Sequence, residues 1–201
     1  GGVEIEPPIQ QLALTESIVE AATGSPSMAI HAPHTPCAFN SCTVVGRTLA
    51  QSLEASDCIF TGEVEAIRRQ AGCVRFSFVP EGSATARRYR CQPELAVETE
   101  LTLAREQTLA SGSTLSDAQL ADIRDATLAR VKPLFTTLRY GAAAYGQLDT
   151  RTAIEIREGA EHRTEMGVYR FLQQPQRAEN LRTVLDEYLR FGLQAGVFFV
   201  T

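Results

Sequence analysis

Between residues 12 and 79 the apolar positions come in short runs, broken by Gly, Pro, Ser and Asn, and almost none follows a 3.6-residue period. The runs LALTESIVEA, SMAIHA, NSCTVVGRTLA, SLEASDCIFTG, EVEAI and CVRFSFV are rich in Val, Ile, Phe, Thr and Cys, and each predicts a strand. The pattern then changes. Residues 93–110 are rich in Glu, Leu and Ala and read as helical. A helix beginning at Ser116 is better defined: Ser116 and Gln119 have the spacing of a capping box, Leu120, Ile123, Leu128 and Val131 share a face, and Pro133 ends it. A last helix is expected over 176–191, with Leu181, Val184, Leu185, Tyr188 and Leu189 as its apolar stripe. Gly192 and Gly196 break it before a terminal strand, VFFVT. The Gly- and aromatic-rich stretch ahead of it predicts irregular but ordered structure.

Three of the strand-like runs are variants of one another. ESIVEA, SCTVVG and DCIFTG each begin with a polar residue (Glu16, Ser41, Asp57) followed by a small one (Ser17, Cys42, Cys58). Ile18, Thr43 and Ile59 then align, and so do Val19, Val44 and Phe60, at steps of 25 and 16 residues. Self-similarity of this kind points to stacked units, none of which buries its apolar side alone. A hairpin would need a two-to-five-residue turn between copies, roughly, and none is present. The expected fold is mainly β with α: right-handed parallel β-helix rungs over residues 1–92, then a helical and irregular segment over 93–201 that packs on or caps them. A β-sandwich plus helices is the alternative. On the rung reading Cys42 and Cys58 lie one strand spacing apart as interior fillers.

Composition narrows the functional classes. The chain has 201 residues, 44% of them hydrophobic, enough for an ordinary core. Its 19 basic and 24 acidic residues leave a net charge of −5, which argues against nucleic-acid binding by phosphate neutralisation. No apolar run approaches the ~20 residues of a membrane span, so a soluble chain, cytoplasmic as synthesised, is expected. The five cysteines have irregular spacing and read as reduced, buried thiols. The opening GGVEIEPPIQ has no signal-peptide pattern and reads as the middle of a longer protein, of which this would be a C-terminal piece.

Candidate chemistry is sparse. His31, His34, Cys37 and Cys42 have ligand types suited to zinc, but Pro33 and Pro36 stiffen the segment and no second ligand pair encloses it, so HAPHTPC reads as a proline-rich loop with exposed histidines. The strand-rich half offers Glu16, Glu20, Glu54, Asp57, Glu63 and Glu65. Should the chain be a polysaccharide lyase or hydrolase, Asp57 with Glu16 or Glu54 would be its catalytic carboxylates. His162 sits among acidic residues and reads as surface. Arg87, Arg88, Tyr89 and Arg90 form a cluster able to clasp an anion or stack on a ring. No phosphate loop or nucleophile elbow appears, and no cofactor is expected.

The phrases CIFTG, RRQAGCVRFSFVPEGS, RRYRCQPE, PLFTTLRYG, AYGQL and EMGVYRFLQQPQRAENLRTVLDEYLRFGLQAGVFFVT resemble the C-terminal region of large bacterial β-helix proteins associated with phage-tail-like contractile injection particles. The likeness spans residues 12–201, leaving out 95–110 and the HAPHTPC segment. It implies a β-helix and a place in a surface or tail-like assembly that in part leaves the cell. Partners would be proteins or further copies of the chain, met through the C-terminal helix and strand, or a glycan. It carries no catalytic motif, so a non-enzymatic structural or binding component is expected.

Overall fold

The computed structural model describes residues 2–21, 28–189 and 193. Its first half is a parallel β-solenoid. The strands are β1 (Val3–Glu4), β2 (Leu12–Thr15), β3 (Ile18–Glu20), β4 (Met28–Asn40), β5 (Thr43–Val45), β6 (Arg47–Ser56), β7 (Ile59–Phe60), β8 (Val64–Ala66), β9 (Gly72–Arg75) and β10 (Arg87–Tyr89). Every pairing between these described strands is parallel. Three successive turns carry strands on three faces. The first face stacks β1, the start of β4, the start of β6, and β8; the second stacks β2, the end of β4, the end of β6, β9 and β10; the third stacks β3, β5 and β7. Isolated bridges Ile59↔Phe78 and Phe78↔Gln92 carry the third face onward.

The aligned repeat is this stacking. Ile18, Thr43 and Ile59 are register partners, as are Val19, Val44 and Phe60. Four of the six runs expected as strands are cut by a corner residue with positive φ, at Glu16 (48°), Ser41 (53°), Asp57 (55°) and Phe76 (48°); Arg90 (50°) repeats the corner in the next turn, and the corners coincide from turn to turn. A non-glycine residue adopts this left-handed conformation only when its surroundings hold it there. The residue after each corner supplies the hold. Ser17, Cys42, Cys58, Ser77 and Cys91 each donate to the carbonyl two residues back, at 2.7, 3.3, 3.1, 2.7 and 3.6 Å. The same side chains link the turns, since the Cys42 N–H donates to Cys58 Sγ (3.5 Å) and the Cys58 N–H to Ser77 Oγ (3.0 Å). The position therefore needs a small side chain with a donor and an acceptor, which Ser and Cys provide.

The segment expected as a loop is instead the 13-residue strand β4. Its pairing with β6 shifts between Ala32↔Ala50 and Pro36↔Ser52, at the corner between first and second faces. Prolines are tolerated there because the ladder is interrupted and a missing N–H leaves nothing unpaired. Inside the solenoid, Ile30, Phe39, Val44, Leu53, Phe60, Val64 and Val74 form one core with Cys37, Cys42, Cys58 and Cys91. Where the third face turns back to the first, turns approach closely: a Cβ on Gly62 would lie 2.5 Å from the Gly46 carbonyl carbon.

Among the described residues four α-helices follow: α1 (Glu94–Ala110), α2 (Asp117–Arg130), α3 (Ile154–Arg157) and α4 (Gln174–Tyr188). The Ser116 capping box forms, with the Ser116 N–H donating to Gln119 (2.9 Å) and the Gln119 N–H to Ser116 Oγ (3.3 Å). Between α2 and α4 the chain is irregular but bonded, with bridges Phe135↔Leu148 and Thr137↔Tyr145. In α4, Leu181 and Val184 are exposed while Leu185 is half-buried. The expected end of that helix at Phe191, the breaks at Gly192 and Gly196, and the VFFVT strand lie outside the described residues. None of the described helices is long and apolar enough to cross a membrane.

Candidate functional site

The second and third faces of the solenoid present their outward side chains to different surroundings. On the third face, Ile59 and Phe78 join Ala96, Val131, Ile156, Ala160 and Met166 in a second core, which glues the later segment to the solenoid. Polar contacts pin it. Asp57, 1% exposed, accepts from the Glu161 N–H at 2.8 Å through Oδ1, pairs with Arg170 at 3.2 Å through Oδ2, and accepts from the Gly167 N–H at 2.7 Å through its carbonyl. Thr43 Oγ1 accepts from the Val168 N–H (3.1 Å). The Tyr145 hydroxyl donates to Glu20 (2.5 Å), and burial together with that carboxylate pushes the phenol up to about 12. Gly167 is required by contact, since a Cβ there would sit 2.7 Å from Thr43 Oγ1. Glu165, beside this seam, is buried, and desolvation pushes its carboxyl up to about 7 against the pull of Arg157.

On the second face the outward rows stay open. Ala13, Ala38, Glu54 and Cys73 form one row, and Thr15, Asn40, Ser56 and Arg75 the next. They line a groove of about 420 Å³. Arg75 Nε donates to Ser56 Oγ at 2.6 Å, which fixes the guanidinium along the groove. Glu54 is the only carboxylate among the described residues that line it. A second, more apolar cleft of about 520 Å³ lies where Phe78 and Pro80 meet Leu128, Val131 and Phe135.

The three carboxylates picked from the sequence therefore have separate settings. Glu16 is an exposed corner residue, Glu54 faces the open groove, and Asp57 is buried in the docking seam. The zinc candidates also diverge: Cys37 and Cys42 point into the core, His34 is exposed, and His31 faces outward on the first face. Burial pushes the Cys37 thiol up to about 11 and holds Cys58 well above its usual range, so both are thiols, not thiolates. In the arginine cluster, Arg88 is used internally, donating to Thr85 Oγ1 (2.9 Å) and the Ser83 carbonyl (2.6 Å) and lying 3.8 Å from Glu94. Tyr89 stacks edge-on to Phe76, and Arg87, Tyr89 and Arg90 are exposed at the last strand of the sheet. His162 is exposed, and its carbonyl accepts from Gln176 (3.3 Å). Arg75 and Arg170 were not singled out from the sequence. Extending the repeat to FSFV would have placed Arg75 in the row of Asn40 and Ser56, whereas nothing local marks Arg170.

No protein-family model, curated protein or solved structure matches the chain.

Proposed function

We propose that this chain is a non-catalytic binding component, a right-handed parallel β-helix that covers its third face with its own C-terminal segment and offers its second face to a glycan. Right-handed coiling is supported by the near-uniform handedness of parallel crossovers. The observation that carries the binding reading is the open groove on the second face, in which polar groups recur at each turn. A ligand that itself repeats suits such a lattice, and Arg75, Asn40, Ser56 and Glu54 supply donors and acceptors for hydroxyl groups. Cleavage is less well served: acid/base hydrolysis needs two convergent carboxylates, and Glu54 is the single carboxylate among the groove's described lining residues, while Asp57 is neutralised by Arg170. The resemblance to β-helix proteins of phage-tail-like particles supports a place in a bacterial surface or tail-like assembly. The exposed Leu181 and Val184 of α4 support a protein contact there.

The test is binding to a panel of bacterial surface polysaccharides by calorimetry, with product analysis in parallel. Retention of at least one glycan, weakened about tenfold or more by Arg75→Ala, is expected. Absence of binding across the panel would sink the reading. New chain ends that vanish with Glu54→Gln would replace it with polysaccharide degradation.

A further inference from the structure

We propose that Glu4, Glu6 and His31 form a divalent transition-metal site, typified by zinc, on the first face of the solenoid. Strand alternation turns Val3 and Ile5 toward the core and leaves Glu4 and Glu6 exposed on the outward side. His31 is the register partner of Glu4 on the adjacent strand, and its own neighbours Ile30 and Ala32 are buried in the core. Two turns of the solenoid thus bring one imidazole and two carboxylates together, with one ligand atom from each within 4.8 Å of the others. No other group of three or more such side chains meets that condition among the described residues.

A second observation points to a ligand. His31 Nδ1 is a buried atom with no hydrogen-bond partner, although the ring is a third exposed, and it lies 3.9 Å from Glu4 Oε1. A buried, unpaired ring nitrogen is costly and unusual, and this one lies beside the Glu4 carboxylate. A cation between them satisfies it. Tetrahedral zinc holds its N and O ligands about 3.4 Å apart, given metal–ligand distances of about 2.0–2.2 Å. Closing from the present separations takes movements of about 1 Å, which exposed glutamate side chains make by rotation. The imidazole selects against calcium and magnesium, which prefer all-oxygen sets. Three protein ligands leave a coordination position for water or for a donor from a partner. Bound metal would tie the first turn to the second at this end of the stack.

The full chain, stripped with chelator, is titrated with zinc chloride by calorimetry and by thermal melting. One zinc per chain and a melting temperature raised by several degrees at saturation are expected. His31→Gln should remove both, Glu4→Gln should weaken binding about tenfold or more, and His34→Gln should change neither. Melting in chelator shows whether His31→Gln folds; if it does not, the exposed pair Glu4→Gln/Glu6→Gln decides. Absence of binding, an effect that survives loss of these ligands, or an equal shift with calcium would overturn the site.

Discussion

The second and third faces of the solenoid are wound by the same turns, yet one is a seam and the other a surface. The corner residues between them show how. Glu16, Ser41, Asp57, Phe76 and Arg90 have the same backbone conformation and the same place in the turn. Only Asp57 combines full burial with a charge, and it faces Arg170 and the Glu161 N–H. Position in a solenoid fixes backbone geometry, and the identity of one side chain decides whether that position recruits another segment or stays open. The outward rows teach the same lesson: Thr43 and Ile59 on the third face are buried, while their counterparts on the second, Asn40 and Glu54, are exposed.

The sharpest way to break this contrast is Asp57→Ala. It leaves Arg170 and the Glu161 N–H without their acceptor and places alanine at a positive φ. A cost of about 3–4 kcal/mol follows, in the lower part of the range for a broken buried pair because Arg170 is partly exposed. Denaturant unfolding measures the loss. Hydrogen exchange should show faster opening over 160–173 while residues in β4 and β6 stay protected. Equal acceleration in both regions would mean that Asp57 supports the solenoid itself, not the seam.

Glu165→Gln acts on the seam in the opposite direction. The ordinary carboxyl value is 4.5 and the folded one about 7, so the folded chain binds this proton more tightly than the unfolded chain does. Stability contributed by this group therefore falls as pH rises from about 4.5 to about 7, and the penalty is complete above that. The full shift corresponds to roughly 3 kcal/mol. The glutamine variant should be more stable than the native chain at pH 8 by up to that amount, with the difference closing toward pH 4.5. Melting curves across that range check it; a constant difference would show that the gain is unrelated to the carboxyl's ionisation.

The two faces were not equally legible in the sequence. The register of Ile18, Thr43 and Ile59 was readable because each residue lies beside the same corner and the same ladder position, so one constraint is written repeatedly. The later turns escaped notice because Phe76 stands at a corner where earlier copies have polar residues, and Gln92 and Pro93 stand where those copies have β-branched or aromatic residues, although Ser77 and Cys91 continue the ladder. The misreading of HAPHTPC has a local cause: prolines mark loops unless a strand turns a solenoid corner, where no N–H is wanted. The role of Asp57 could not be read at all, since Glu161 lies 104 residues away. The groove on the second face emerges from register between turns, and its polar rows are not adjacent in the chain.

The ladder offers the finest test, because it is common to both faces and belongs to neither. Cys58→Ala removes a buried sulfur, its bond to the Ser56 carbonyl (3.1 Å) and its acceptance from the Cys42 N–H (3.5 Å), so a loss on the order of 1 kcal/mol is expected. Simple burial would make Cys58→Ser worse than alanine, because a hydroxyl is costlier to desolvate than a methyl group. The solenoid predicts the reverse. Ser77 occupies the equivalent position fully buried, donating to the Arg75 carbonyl at 2.7 Å and accepting from the Cys58 N–H at 3.0 Å. Serine at 58 meets the same two partners, so Cys58→Ser should be the more stable variant in matched denaturant titrations. If alanine proves the better replacement, the ladder is a packing column and its hydrogen bonds do not hold the corners.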